Sequence, residues 1–192
     1  MGETVTKAFK DIAALVADVA NDKKLQAGID QAAEMALSAL ARNGKLFFAG
    51  NGGSAAEAQH LAAEYVSRFK FDRPGLPAIA LTTDTSALTA IGNDYGFDAV
   101  FQRQIEALAR PSDLIFLSST SGRSPNILAA ISAARRLCVP TVLLTGAGYV
   151  HASDGPDLVL TVPSSETARI QEIHLMIGHS ICEIVELRIF GA

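Results

Sequence analysis

Hydrophobic positions in the first forty residues recur at helical spacing. Phe9, Ile12, Leu15, Val16 and Val19 make one apolar stripe, and Leu25, Ile29, Ala33, Leu37 and Leu40 make a second. Asn21-Asp22 supplies a break and a cap between them, and Asn43-Gly44 ends the second helix. Further on the pattern changes to short continuous apolar runs: Lys45–Gly50, Pro77–Leu81, Asp113–Ser118, Pro140–Gly146 and Asp157–Val162. Runs of this kind suit strands covered on both faces. Helical candidates lie between them, near 54–69, 97–109, 125–137 and 166–189. Strand and helix alternate, which predicts an α/β protein with a parallel five-stranded sheet flanked by helices. Residues 1–192 form one domain in this reading, with an N-terminal helical extension of about 1–43. The two leading helices have no strand partner, and their apolar faces are expected to pack on the domain or on another subunit.

Composition narrows the function. The chain has 192 residues, 49% hydrophobic and 19% charged, which excludes disorder. Its net charge of -4 and lack of a basic run argue against nucleic acid as the main partner. No apolar stretch approaches the ~20 residues of a membrane helix. Met1–Lys10 lacks the apolar core of a secretory signal, so a cytoplasmic location is expected. Cys138 and Cys182 sit in apolar segments without CxxC spacing and read as buried free thiols.

In a parallel sheet of this type, ligands bind beyond the carboxyl ends of the strands. The first strand is followed by Gly50-Asn51-Gly52-Gly53-Ser54-Ala55, whose small residues let backbone amides approach a ligand in front of a helix N-terminus. The same letters satisfy GxGxxA, but the acidic residue of a dinucleotide site is missing at about twenty residues on, and Asp84 lies well beyond. A plain strand-to-helix turn is the other reading. The third strand is followed by Ser118–Pro125, with Ser124 as N-cap and Pro125 as first helical residue. Hydroxyls of Ser119, Thr120, Ser121 and Ser124 around Gly122 exceed what capping needs, and they suit a phosphate.

Two helices carry further candidate chemistry. His60 and Glu64, four apart, project from one face, a spacing that a solvated helix also shows. On the last helix Gln171 and His179 fall within about 80° of each other. His174 lies farther round and is expected in the core or at the surface, and Glu172 is expected to be solvated. Two imidazoles, a carboxylate and an amide oxygen make a divalent-metal set, with zinc the first guess. Nothing in the spacing shows that the two helices meet. Asn93-Asp94, within Gly92–Gly96, reads as a loop that either contacts a ligand or forms a turn.

Together, GNGGSA at 50–55, AQHLAAE at 58–64, LTAIGNDYG at 88–96, STSGRS at 119–124, TARIQEIH at 167–174 and His179 resemble the sugar isomerase (SIS) domain family. The similarity runs over nearly the whole chain. It implies a flavodoxin-like sheet, added N-terminal helices and a homotetramer with active sites at subunit boundaries. It also implies an aldose–ketose isomerase that converts sedoheptulose 7-phosphate to D-glycero-D-manno-heptose 7-phosphate through an enediol, the first step toward ADP- or GDP-heptose. By motif, His60, Glu64, Gln171 and His179 match the zinc ligands, one Zn2+ per subunit, and Glu64 and His179 match the acid/base pair. Asn51, Gly52, Gly53, Glu64, Asn93, Asp94, Ser119, Thr120, Ser121, Ser124 and Gln171 match substrate contacts. The chain departs from the family at Gly146-Ala147-Gly148-Tyr149, which lacks the fuller glycine pattern, and at Arg123, often Asn or Lys. Rival readings are a non-catalytic SIS protein binding a sugar phosphate or the replication initiator, and a nucleotide-dependent oxidoreductase. All four ligand positions are filled, which favours the enzyme.

Overall fold

The computed structural model describes residues 2–151 and 153–191. Two long helices lead the chain, α1 (Gly2–Asn21) and α2 (Lys23–Ala41). Asp22 caps α2, its carboxylate accepting from the amides of Lys24 and Leu25 at 2.9 and 3.0 Å. Strand β1 (Leu46–Gly50) runs into α3 (Gly53–Val66), and β2 (Ala78–Ala80) into α4 (Thr85–Tyr95). A 3-10 turn at Phe97–Ala99 leads to α5 (Val100–Leu108), followed by β3 (Leu114–Ser119) and α6 (Pro125–Arg136). Strands β4 (Thr141–Gly146) and β5 (Leu158–Val162) precede the last helix, α7 (Thr167–Phe190).

All five strands are parallel, in the order β2-β1-β3-β4-β5. This is the flavodoxin-like order, whose topological switch point lies between β1 and β3. The buried side chains of β1, β3 and β4 alternate between two cores. Leu46, Phe48, Leu114, Phe116, Val142 and Leu144 face α2, α3 and α7. Phe47, Ile115, Leu117 and Leu143 face α5 and α6. Continuous apolar runs are what such double coverage requires.

Two expectations need correction, and a third is refined. Residues 85–95, taken as connection with Asn93-Asp94 in a loop, form α4, and that pair lies in its last turn. No residue of α4 is buried, so no apolar stripe marks it, and it starts from Asp84, whose carboxylate accepts from the Ala87 amide at 2.9 Å. Cys138 is exposed, in a left-handed turn after α6, and only Cys182 is buried. The leading helices divide: α2 buries Leu25, Ala32, Ala33, Ala36 and Ala39 against the domain, whereas α1 buries Leu15 alone. Val5 and Phe9 of α1 are 57% and 70% exposed.

Candidate active site

The loops after β1 and β3 flank the switch point and are tied to each other. Asn51 donates to Asn126 at 2.9 Å, and Asn126 donates back at 2.8 Å, a reciprocal amide pair between the first loop and the first turn of α6. Gly53 opens α3 beneath the side chain of Gln171, where an added Cβ would stand 2.7 Å from the amide oxygen. Gln171 in turn reaches the Ser54 hydroxyl at 3.4 Å. Past β3, Ser119 and Ser124 share a hydrogen bond of 3.0 Å. Ser121 accepts from the Arg123 amide at 3.1 Å. Ser124 is the N-cap of α6, but its hydroxyl makes no capping bond and turns into the loop. Gly122 has φ +64° with Tyr149 against it, so a side chain there would be both strained and obstructed. A helix N-terminus without a side-chain cap, lined by hydroxyls, is a favourable seat for an anion.

Helices α3 and α7 run side by side in the same direction: Ser54 meets Gln171, Leu61 meets Gly178, and His60 meets His179. Gly178 permits the approach, since a Cβ there would lie 2.6 Å from the Leu61 methyls. The result is a convergence of donors. His60 Nε2 lies 2.8 Å from His179 Nε2 and 3.3 Å from a Glu64 carboxylate oxygen. Ligand atoms of His60, Glu64 and His179 all fall within 4.8 Å of one another. The His179 imidazole is held below its ordinary range by burial first and by His60 second, with Glu64 opposing. Neutral imidazole is the form that binds a metal. Donors around a tetrahedral zinc ion stand roughly 3.3 Å apart; the His60–Glu64 separation matches that and the two imidazoles need to part by only a few tenths of an ångström, so these three residues could hold such an ion. Gln171 lies two turns, roughly 12 Å, before His179 on α7, and its amide points at Ser54 instead of at the three donors.

One polar residue of this region, Glu57, gave no signal in the sequence. Glu57, one turn before His60, is 7% exposed, and the Ser118 hydroxyl at the end of β3 donates to it at 3.2 Å. Its second carboxyl oxygen has no partner among the described residues. Burial pushes its pKa up to about 8, against the smaller effect of Ser118. His174 is fully buried, and burial pushes it down to about 4; the Thr145 backbone opposes this from outside hydrogen-bonding geometry. Glu172 pairs with Arg169 at 2.7 Å on the exposed side of α7. Asn93 and Asp94 are exposed and joined at 2.8 Å, away from any hydrogen bond with the two loops. Asp84 is committed to its cap, which leaves the dinucleotide reading without its ribose partner. No helix among the described residues is long and apolar enough to cross a membrane.

The SIS domain family matches residues 9–146. A phosphoheptose isomerase of Burkholderia pseudomallei (strain 1710b) is 49% identical over 187 residues, covering 97% of this chain and 95% of the relative. One from Solidesulfovibrio magneticus is 57% identical over 166 residues, covering 85% and 80%. Among solved structures, the phosphoheptose isomerase of Neisseria gonorrhoeae superposes with a TM-score of 0.88 at 42% identity, covering 96% of this chain and 98% of that one. That of Francisella tularensis gives 0.89 at 38% identity, covering 95% and 96%.

Proposed function

The chain belongs to the SIS domain family, in its phosphoheptose isomerase branch, and on that premise we propose that it interconverts sedoheptulose 7-phosphate and D-glycero-D-manno-heptose 7-phosphate. The observation that carries this reading is the convergence of His60, Glu64 and His179 on two helices whose N-terminal turns border the switch-point crevice. The phosphate sits at the start of α6, met by Ser119, Thr120, Ser121 and Ser124. Asn51, Gly52 and Gly53 meet the sugar, as do Asn93 and Asp94 on α4. With the same premise go a homotetramer with sites at subunit boundaries and a cytoplasmic location.

The reaction moves one carbon-bound proton. A base removes it from C1 of the ketose while an acid protonates the C2 oxygen, giving an enediol. Loss of the O1 proton and protonation at C2 then complete the aldose. Glu64 and His179 share these acid and base roles. His60, Glu64 and His179, with Gln171 once its amide leaves Ser54, would hold one zinc ion. When bound, the ion supplies Lewis-acid polarisation of the sugar's carbonyl and hydroxyl oxygens. The Ser118–Ser124 loop keeps the phosphate in place while the proton is transferred.

The test is NMR of sedoheptulose 7-phosphate with the protein, in parallel samples containing zinc or a strong chelator. Heptose 7-phosphate is expected with zinc and not with chelator. Glu64→Gln and His179→Gln are each expected to slow turnover by about 10²–10⁴-fold. Parent-like rates in both variants would refute the acid/base assignment. Binding without product would leave a sugar-phosphate sensor.

A further inference from the structure

Between α3 and β2 the chain makes an irregular excursion, residues 67–77, that has no part in the reading above. It is folded around one carboxylate. Glu186, two turns beyond His179 on α7, accepts from the amides of Phe69 at 2.9 Å, Lys70 at 2.6 Å and Phe71 at 3.1 Å. The same carboxylate accepts from Arg73 Nε at 2.7 Å, and both side chains are only 1% exposed. The rest of the Arg73 fork turns to the end of α3. One terminal nitrogen donates to the Glu64 carbonyl at 2.9 Å, the other to the Tyr65 carbonyl at 2.9 Å. These are carbonyls of the last helical turn, which the helix itself leaves without partners. The excursion also reaches the other helix, where the Phe69 ring stacks on the His179 ring with centroids 5.4 Å apart.

We propose that Arg73, Glu186 and Phe69 form a positioning device that sets Glu64 and His179 relative to each other. Arg73 grips the backbone of Glu64, Glu186 fixes Arg73 to the helix of His179, and the Phe69 ring, held through its amide by the same carboxylate, orients the His179 imidazole. None of the three is required to touch substrate. Two helices packed through apolar side chains around Leu61 and Gly178 could slide by a fraction of a turn and still bury those faces. The donor atoms would then part. A fully buried guanidinium–carboxylate pair with fixed fork geometry removes that freedom. Outer-shell partners of this kind are worth about 10–100-fold in metal affinity or activity.

The inference rests on the zinc-isomerase reading for its consequences, and the experiment separates the two. Arg73→Lys keeps the charge but not the fork. Phe69→Leu keeps the amide bond to Glu186 but not the ring. Each is compared with the parent in zinc affinity by chelator competition, in kcat and KM, and in the imidazole NMR signals of the metal-free protein. All are measured well below the melting temperature. Zinc affinity and kcat reduced roughly 10–100-fold with KM unchanged support the proposal, as do displaced His60 and His179 signals in the metal-free Arg73→Lys protein. Parent-like affinity, kcat and imidazole signals in folded variants overturn it, even if their melting temperatures fall, and so does an effect confined to KM. If Arg73→Lys does not fold, Phe69→Leu alone decides. If the parent makes no heptose 7-phosphate, the isomerase reading fails while affinity and NMR still judge the device.

Discussion

A carboxyl pushed up to about 8 stays protonated through neutral pH, so Glu57 meets Ser118 as a neutral acid at the root of the β1 and β3 loops. In the unfolded chain the same group ionises near its ordinary 4.5. The folded state therefore holds the proton more tightly, and the stability that Glu57 contributes falls as pH rises from about 4.5 to about 8. Glu57→Gln removes that loss. In denaturant titrations the variant is expected to match the parent near pH 4.5 and exceed it by a few kcal/mol at pH 8, about 1.4 kcal/mol per pH interval between the two pKa values. A parent whose stability is flat between pH 6.5 and 8 would contradict the buried acid. His174 acts with the opposite sign. Its pKa falls from 6.5 to about 4 on folding, so its contribution is whole above 6.5 and lost as pH drops toward 4. The two slopes oppose each other between 4.5 and 6.5, and above that Glu57 acts alone. The burial of His174 is one of two sequence readings, but that of Glu57 was not visible in the sequence. Glu57 reads as one polar letter in a helix start, because its burial depends on Ser118, 61 positions away.

The central strands β1, β3 and β4 were readable because each is covered on both faces and so is mostly apolar; their ends differ from expectation by a residue or so. The fourth helix was not, since its apolar side chains Leu88 and Ile91 are only partly buried and its clearest sign is the Asp84 cap. The meeting of α3 and α7 was also hidden, because helical spacing states which residues share a face and not which face another helix occupies. Gly178 was the one available hint, a residue costly inside a helix unless a neighbour needs the room. Gly178→Ala would press a methyl against Leu61, and overpacking of this kind costs about 1–3 kcal/mol. The expected outcome is a lower melting temperature together with weaker zinc binding, because the helices part where His60 faces His179. A variant that melts lower but binds zinc as the parent does would show that the contact serves stability alone. Arg73 and Glu186 lie 113 positions apart and carry no motif, so their pairing became visible only in the folded chain.

The chain brings its chemistry to two places, a hydroxyl-lined loop at the start of α6 and a donor cluster on α3 and α7. The Asn51–Asn126 pair lies between the strand ends that lead to them. It joins the loop after β1 to the first turn of α6. On the proposed reading, a phosphate at the α6 end would fix Asn126, and through it Asn51 and the turn that opens α3. Affinity for a part of the substrate that never reacts would in this way be converted into order where the reaction occurs. Sedoheptulose without its phosphate is accordingly expected to lose turnover rate as well as affinity. Phosphite added as a separate molecule is expected to restore part of that rate in steady-state assays, and the same addition to an Asn126→Ala protein is expected to restore little. The molecule would then behave less as two sites on one sheet than as a switch thrown at one end of the sugar and felt at the other.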